Sequence, residues 1–459
     1  MALFIWRAYF IHREVPMFTR QKTIECVKLI LVISMLGFGL LTPLPAEAGG
    51  LLLYEFGTAD VGLASAGYNV RAQDASTAFT NPAGMTRLEG TQVLASGQVL
   101  WSDAKFSIGS GTSPALGDGD GGYVTGSNGW FPGGGGFLSY SVSPDLKLGF
   151  ALTGNFGAPL SYDDNWAGRY YVQETTMLGI SLVPSIAYKL TDKFSLGGGV
   201  TAMYGSYKNQ VAINNVIPAF GDGQLKLDDT DWGWGANLGL LYEVTSGIRL
   251  GLTWNSQVSL DFNAPAQFSN LAPGLSTVLN NRGLLNSSIK VGIKVPQQAM
   301  GSVFAQVGDR WAVMGSVGCQ LWSKFGQVQL GIDDTTNPTS TSTDLDFKDT
   351  WHFAVGAQYQ ISDPWLLNFG MAYDSDFQDG SDVSPLLPLN SAWRFGVGAQ
   401  HQPSEDFFWG FAAEYLYGGT LDTNLQSTRP VALGGRGNLI GSYDSIGTIF
   451  LGLYANWKF

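Results

Sequence analysis

The sequence predicts an all-β fold, a 14-stranded antiparallel transmembrane β-barrel with an N-terminal hatch inside its lumen. Segments of about ten residues alternate between apolar and polar side chains, and tight turns alternate with long polar connections along the chain. Aromatic residues make up 13% of the chain and charged residues only 14%, whereas a typical soluble domain has roughly 25% charged residues. A soluble β-sandwich is the alternative, but it would not keep this strict alternation of turn lengths.

The N-terminus reads as a secretory leader. An apolar stretch at 29–41 follows basic residues and precedes the small-x-small site Ala46–Ala48, which is the pattern of a signal peptide. We assign the signal peptide to residues 1–48, with 1–16 as an upstream extension. An N-terminal membrane anchor is the alternative, although the apolar stretch is short for a bilayer.

Charge and cysteine content argue against nucleic-acid binding and against an intrachain disulfide. The formal net charge of −12 argues against nucleic-acid binding, which needs a basic face. Cys26 would leave with the leader, so that Cys319 would be the single cysteine of the mature chain. An intrachain disulfide is therefore not expected.

The barrel is predicted over residues 91–459, where short and long connections alternate. The tight turns are Ser143–Asp145, Thr191–Lys193, Thr245–Gly247, Gly308–Arg310, Ser362–Pro364 and Pro403–Asp406. The long connections are 103–132, 156–175, 209–230, 263–286, 331–349, 375–390 and 422–444. Six tight turns between seven long loops require fourteen strands, and short turns on one side with long loops on the other are typical of outer-membrane barrels.

The last strand has the clearest two-residue period. One face is predicted to contact lipid and consists of Ile449, Leu451, Leu453, Ala455, Trp457 and Phe459. The other face is predicted to line the lumen and consists of Gly452, Tyr454, Asn456 and Lys458. Successive side chains of a strand point to opposite faces, so this strand fits a wall between lipid and water. The terminal aromatic, Phe459, is expected to be recognised by the barrel assembly machinery.

Residues 49–90 precede the first strand and do not alternate. This segment is rich in Gly, Ala and Ser, and the next strand starts at the periplasmic end. We predict that it folds into the lumen as a hatch, because barrels of this size are often plugged. A periplasmic tail is the alternative.

Several motifs resemble one known family. The hatch segment contains Tyr54-Glu55-Phe56, Ala72-Gln73-Asp74-Ala75 and Asn81-Pro82-Ala83-Gly84, and the barrel contains Gly154-Asn155-Phe156-Gly157 and Trp322-Ser323-Lys324-Phe325. Together they resemble the FadL/TodX-type outer-membrane transporters of long-chain fatty acids and aromatic hydrocarbons. The resemblance extends over essentially the whole chain after the leader.

This resemblance implies two functional elements. The Asn-Pro-Ala motif of the hatch corresponds to Asn81, Pro82 and Ala83. Gly157 corresponds to a kink in the third strand that opens the wall sideways toward the bilayer. Glycine within a strand often marks a bulge, and a bulge interrupts the ladder between strands. A plain glycine at the start of a loop is the alternative for Gly157.

The family also captures substrate in an apolar groove between its third and fourth extracellular loops. The candidate residues here are Val211, Ile213, Val216, Ile217, Phe220, Phe268, Leu271, Leu275, Val278 and Leu279. In the second loop the apolar residues recur at helical spacing. Exposed apolar patches often mark binding sites, but the two loops could also simply pack on each other.

Four basic residues are candidate partners for a fatty-acid carboxylate. By strand alternation Lys290, Lys294, Lys324 and Arg394 are predicted to point into the lumen, although inward charges are also ordinary in any barrel. Where family members have basic residues in strands five and nine, this sequence has Val211 and Gln329. Monoaromatic hydrocarbons are therefore the alternative substrate.

The sequence contains no pattern that indicates catalysis, a cofactor or a metal site. Its three histidines are scattered, and it lacks a Gly-x-Ser-x-Gly elbow. We predict a channel, monomeric and in the outer membrane of a Gram-negative bacterium, that contacts membrane lipid and lipopolysaccharide and takes up hydrophobic compounds, with fatty acids as the first choice. A barrel lipase and a general porin or adhesin are the competing hypotheses.

Overall fold

A computed structural model describes residues 52–459 except 127, 326, 334–338, 345, 346, 377, 379–382 and 390. The predicted signal peptide, 1–48, lies outside the described residues. The hatch segment is described from residue 52 onward. In the described part of the chain, no helix is both long and apolar enough to cross a membrane.

Antiparallel strands form most of the described chain. They are β1 Gln92–Ile108, β2 Gly121–Thr125, β3 Trp130–Ser141, β4 Leu146–Tyr162, β5 Glu174–Thr191, β6 Phe194–Ile213, β7 Gly223–Thr245, β8 Ile248–Asn255, β9 Val258–Pro265, β10 Gln267–Ser269, β11 Ser288–Val295, β12 Gln298–Val307, β13 Trp311–Gln320, β14 Gln327–Asp333, β15 Thr339–Asp344, β16 Thr350–Ser362, β17 Trp365–Asp374, β18 Ala392–Ser404, β19 Phe407–Leu425 and β20 Leu439–Lys458. Short α-helices span Ala59–Gly62, Thr77–Thr80 and Pro273–Asn281, and 3-10 turns span Pro82–Arg87, Pro114–Leu116, Pro218–Phe220, Trp322–Lys324 and Val431–Leu433.

These strands close into a ring. Neighbours along the chain pair with each other, and β1 pairs with β20 from Gln92↔Lys458 to Ile108↔Gly441. Some positions in the ring are occupied by two successive short strands in place of one long strand. For example, β2 and β3 both pair with β1 and with β4. The ring has 14 strands, which confirms the predicted fold class.

The predicted alternation of side chains holds in the last strand. Leu453 is 66% exposed on the outer face, whereas Tyr454 and Asn456 on the inner face are each 3% exposed. All six predicted tight turns fall between paired strands. The strands extend farther on the loop side than predicted, because the hydrogen-bond ladder continues where the apolar alternation has already ended.

Three neighbouring wall strands are each interrupted near the end that leads to the extracellular loops. The breaks are Ser256–Gln257 between β8 and β9, Pro296–Gln297 between β11 and β12, and the turn Trp322–Lys324 after β13. Beyond them β9, β11, β14 and β15 form a separate four-stranded sheet, which we call the upper sheet. The buried positions change parity across the break: Met300, Ser302 and Phe304 are buried in β12, but Val291, Ile293 and Val295 in β11.

The hatch segment lies inside the ring against glycines of the wall. A Cβ atom added to Gly370 would lie 1.9 Å from the Leu63 carbonyl carbon, and one added to Gly396 would lie 2.5 Å from the Val61 oxygen. Side chains at these two positions would therefore push out the turn that follows Ala59–Gly62. Close approach of another backbone is one reason for glycine within a strand.

Buried charges also hold the hatch. Arg394 of β18 bonds Glu55 of the hatch, and it lies 2.5 Å from Asp374 and 3.0 Å from Glu414. His352 is 2.6 Å from Asp374. We call Arg394, Glu55, Asp374 and Glu414 the hatch lock. Every member is less than 9% exposed, so the charges depend on each other for stabilisation.

Replacing Arg394 by Met should loosen the hatch. The substitution leaves buried carboxylates without their cation, which costs about 3–5 kcal/mol. We expect higher ion conductance in planar bilayers and faster proteolysis of the hatch, with the barrel still folded. Lys458→Met is the control, since it also removes a cation but breaks only pairs with exposed acids at 3.5 and 3.8 Å, worth about 0–1 kcal/mol. Equal conductance of the two variants would contradict a role for the hatch lock.

Candidate functional site

The Asn-Pro-Ala motif joins the hatch to the wall. The Asn81 Oδ1 atom accepts a hydrogen bond from the Ala83 amide at 3.1 Å and so caps the 3-10 turn that Pro82 begins. The Asn81 Nδ2 atom donates to the Leu240 carbonyl of β7 at 3.1 Å and to the Asn69 carbonyl at 2.7 Å. The motif therefore connects two parts of the hatch to one wall strand.

Gly157 lies inside a strand, next to a bulge. The pairing of β4 with β5 shifts register between Gly154 and Phe156, and β4 continues to Tyr162. Our expectation that the strand ends near Phe156 is therefore wrong, as is the alternative of a loop-start glycine. Gly157 has φ of 81°, and a Cβ atom there would lie 1.6 Å from the Met177 carbonyl oxygen, so only glycine fits this backbone.

The wall has a gap on the other side of this bulge. β3 pairs with β4 only as far as Gly135↔Thr153, and β2 resumes the pairing at Thr125↔Leu160. A cavity of about 470 Å³ occupies this region, lined by residues that include Leu53, Gly133–Gly136, Gly154, Phe156, Gly157 and Ile180. Ile180 is 46% exposed on the outer face, so the cavity reaches the lipid side of the wall.

The start of the hatch lies along this gap. The Leu53 amide donates to the Asn155 carbonyl at 3.1 Å, and Leu52 forms an isolated antiparallel bridge with Phe156. Asn155 is the extra residue of the bulge, and its side-chain oxygen accepts a hydrogen bond from Ser181 at 2.7 Å. The first described residues of the hatch thus satisfy backbone groups that the wall strands leave open.

An apolar cluster fills the loop-side half of the lumen. We call it the lumen cluster, and its members include Leu52, Phe156, Met203, Tyr207, Leu227, Val258, Leu260, Phe262, Val291, Ile293, Val295, Trp322 and Phe325. It joins the hatch, the wall at the gap and the inner face of the upper sheet. The alternation of Val258, Leu260 and Phe262 with polar neighbours could have revealed this face from the sequence.

The candidate capture loops are joined by hydrogen bonds of the Asn215 side chain. Loop three is 214–222, and loop four is 266–287. In loop four, β10 pairs with β7, and the helix Pro273–Asn281 confirms the helical spacing. The Asn215 side chain donates to the Asn270 carbonyl at 2.8 Å and accepts from the Ala272 amide at 2.9 Å. These contacts place the two loops side by side.

The candidate groove residues do not all lie on one surface. Phe268 packs against the lumen cluster, and Val211 and Ile213 are half-buried in β6. The half-buried members in loop four are Leu271, Leu275 and Leu279. The exposed members are Val216, Ile217, Phe220 and Val278.

The predicted inward orientation of three lysines is wrong. Lys290 and Lys294 lie on the face of β11 opposite the buried Val291 and Ile293. The inward-facing residues of β12 have even numbers, but after the break at Pro296–Gln297 the inward-facing residues of β11 have odd numbers. A shift of one residue moves every side chain to the other face.

The third lysine fails for a related reason, and the fourth candidate already has partners. Lys324 is exposed on a 3-10 turn, where strand alternation no longer applies, while its neighbours Trp322 and Phe325 are buried. Arg394 does point inward, but the carboxylates of the hatch lock surround it.

A polar contact fixes loop two, 163–173, to loop three. The Asp222 carboxylate accepts hydrogen bonds from Arg169 Nε at 2.7 Å and from the Tyr170 hydroxyl at 2.6 Å. Burial and the hydrogen bond to Asp222 raise the pKa of Tyr170 to about 12. The hydroxyl therefore remains a donor at neutral pH, and the base of loop three is held in place.

Comparison with known proteins identifies the family and some relatives. The model of the family "Outer membrane protein transport protein (OMPP1/FadL/TodX)" matches residues 40–459. The "Long-chain fatty acid transport protein" of Escherichia coli O6:H1 is 26% identical over 357 residues, which cover 72% of this chain and 78% of that protein. "Outer membrane protein P1" of Haemophilus influenzae is 28% identical over 373 residues, which cover 72% of this chain and 77% of that protein.

Solved structures share the fold at lower identity. A Pseudomonas aeruginosa FadL homologue has a TM-score of 0.77 and 22% identity, over 90% of this chain and 100% of that one. The Pseudomonas putida toluene transporter TodX has a TM-score of 0.64 and 14% identity, over 90% of this chain and 99% of that one. The chain therefore belongs to the OMPP1/FadL/TodX family, and it is a channel for hydrophobic compounds in the outer membrane of a Gram-negative bacterium, not an enzyme.

Proposed function

We propose that this channel takes up long-chain fatty acids and releases them sideways into the membrane through the gap beside β4. One observation supports the route above the others: the lumen cluster is continuous from Phe268 at the loops to Phe156 at the gap. An acyl chain that moved along this cluster would exchange one apolar surface for another. It would thus avoid the cost of about 0.8 kcal/mol for returning each CH₂ group to water.

The gap would serve as the exit because its rim is apolar on both faces. Phe156 contributes to the lumen cluster, and Leu152 and Ile180 are exposed to lipid. An apolar solute that leaves between β3 and β4 never crosses the polar periplasmic end of the lumen. Leu52 and Leu53 of the hatch stand beside this exit, and the Asn-Pro-Ala motif would hold the rest of the hatch still while they move.

The choice of fatty acid rests on relatives and meets one opposing observation. The Escherichia coli relative is named for long-chain fatty acids, whereas the Pseudomonas putida neighbour is named for toluene. Lys290, Lys294 and Lys324 do not face the lumen cluster, so a bound carboxylate would find none of these cations there. This observation favours monoaromatic hydrocarbons as the second candidate substrate.

We also propose that the chain functions as a monomer surrounded by outer-membrane lipid and lipopolysaccharide. Phe459, which is 78% exposed at the end of β20, would be the residue that the barrel assembly machinery recognises. The exposed outer face of β20, with Leu451 and Leu453, supports direct contact with lipid.

Binding of a labelled long-chain fatty acid to the purified barrel tests the substrate class, with toluene as competitor. We expect saturable binding that excess toluene reduces less than twofold, because a long acyl chain fills more of the lumen cluster than one ring. Strong competition by toluene, or only nonsaturable binding of the acid, would favour the hydrocarbon channel.

Replacing Gly157 by Val tests the exit. A β-branched residue at this φ costs about 1–3 kcal/mol, and its Cβ would collide with the Met177 carbonyl, so the bulge must rearrange. We expect uptake by whole cells to fall about tenfold, equivalent to about 1.4 kcal/mol of barrier, while the folded fraction is unchanged.

Gly301→Val is the matched control for this substitution. It introduces the same side chain in another strand, where a Cβ atom meets nothing within 4 Å. Its uptake should equal that of the unmodified protein. Normal uptake by a folded Gly157→Val variant would remove the bulge from the route.

A further inference from the structure

The last extracellular loop, 426–438, which we call loop seven, contacts three other loops. The Ser113 amide donates to the Asn438 carbonyl at 2.9 Å, and the Tyr171 hydroxyl donates to the Gly437 carbonyl at 2.7 Å. The Asn214 side chain donates to the Val431 carbonyl at 2.7 Å and to the Gly435 carbonyl at 3.3 Å. Loop seven is therefore held in a defined position beside loop three.

Two adjacent asparagines of loop three bond two different neighbouring loops. Asn215 bonds loop four, whereas Asn214 bonds loop seven. Val216 follows on the side of loop seven, because a Cβ atom added to Gly434 would lie 3.4 Å from Val216 Cγ2. Val216 thus belongs to a surface between loops three and seven, separate from the groove between loops three and four.

Val216 adopts a backbone conformation that valine rarely takes. Its φ is 67°, in the left-handed region where a β-branched side chain is a true outlier. The Asn214 Oδ1 atom accepts from the Val216 amide at 2.8 Å and helps to hold this turn. Backbone strain of this kind persists where the surroundings enforce it, and it clusters at functional sites. Here it holds an apolar side chain out from the loop.

Three apolar side chains at this contact, or next to it in sequence, are exposed. Val216 is 51% exposed, Ile217 is 53% exposed and Leu433 is 68% exposed. Burial of such side chains is the usual source of their stabilisation, yet here they face outward at the tips of two linked loops. A patch of three side chains is far smaller than a stable protein–protein interface, but it matches part of one acyl chain.

Loop seven carries a cation two residues after Gly434, the residue that approaches Val216. Arg436 is exposed, and its guanidinium lies 5.5 Å from the centre of the Tyr171 ring. The Tyr171 hydroxyl is bonded to loop seven, which keeps the ring next to the loop that carries Arg436. Among the residues that the structure describes, no carboxylate pairs with Arg436. Its donors can thus receive an anion, and a guanidinium fits a carboxylate with two parallel hydrogen bonds.

We propose that loops three and seven form a second capture site for single-chain anionic amphiphiles, in which Arg436 binds the carboxylate and Val216, Ile217 and Leu433 bind the first part of the chain. The inference rests on the proposed uptake of fatty acids and supplies a cation at the loops, since Lys290, Lys294 and Lys324 do not face the lumen cluster. The site would gather the acid from water before the chain enters the lumen cluster. An uncharged arene has no carboxylate to pair with Arg436, so this site would separate the two candidate substrates.

Equilibrium binding of tritiated oleate to the full chain in nanodiscs tests the site, with oleyl alcohol as the uncharged probe. We expect Arg436→Gln to raise the Kd for oleate about tenfold, which corresponds to about 1.4 kcal/mol, and to leave the Kd for oleyl alcohol unchanged. Added salt should weaken oleate binding to the unmodified protein more than to the variant, because screening acts on an exposed charge.

Arg429→Gln is the matched control, because it removes another exposed cation of the same loop and leaves Arg436, Val216, Ile217 and Leu433 unchanged. An equal loss of oleate binding in this variant would indicate general attraction by charge and would overturn the site. An unchanged Kd in Arg436→Gln would also overturn it, while saturable oleate binding would leave the proposed function standing. If the unmodified protein binds toluene but no oleate, the proposed function fails, and the second site fails with it.

A cross-linking experiment separates binding from a purely structural effect of Arg436. A photoactivatable fatty acid should label peptides of loop seven in the unmodified protein, and Leu433→Ser should reduce that labelling while labelling of the lumen cluster persists. Label confined to loop four and the lumen cluster would overturn the site.

Discussion

The structure depends on one constraint: a backbone amide or carbonyl inside the bilayer must find its partner within the protein, because lipid offers none. The pairing of β1 with β20 closes the ring, so the first and last strands also find backbone partners within the protein. At the bulge of β4 the wall strands do not satisfy it alone, and the amide of Leu53 bonds the Asn155 carbonyl from inside. The hatch is thus part of the wall at the one place where a sideways route is proposed. Any movement of Leu52 and Leu53 would leave the Asn155 carbonyl without this hydrogen bond and would also widen the gap.

The lumen is divided into two chemically different halves. Near the hatch, buried charges such as Arg394 and Asp374 bond each other, and the Arg249 guanidinium donates to the Val70 carbonyl at 2.7 Å. On the loop side, the lumen cluster is apolar. The polar half holds the hatch through ion pairs and hydrogen bonds, whereas the contacts within the lumen cluster are mainly apolar and would accommodate solutes of different shapes. This division suits a channel for hydrophobic compounds.

The sequence predicted the ring, the tight turns and the lipid-facing residues, because each follows from local rules of alternation and turn formation. The outer face of β20, with Leu453, illustrates this success. The same rule failed for Lys290 and Lys294, because alternation is reliable only within an unbroken strand. The break at Pro296–Gln297 reverses the faces, and no rule of local sequence gives its effect on register. The surface between loops three and seven was missed because Val216 and Leu433 are more than two hundred residues apart.

The hatch lock has a consequence for how the chain folds. Glu55 and Arg394 are separated by 339 positions in the sequence, so the earliest part of the barrel protein bonds one of its last strands. The hatch lock is complete only when both β18, which carries Arg394, and β19, which carries Glu414, are in place. A chain truncated before β18 would lack both Arg394 and Glu414, so Glu55 and Asp374 would lose the cation that stabilises their burial.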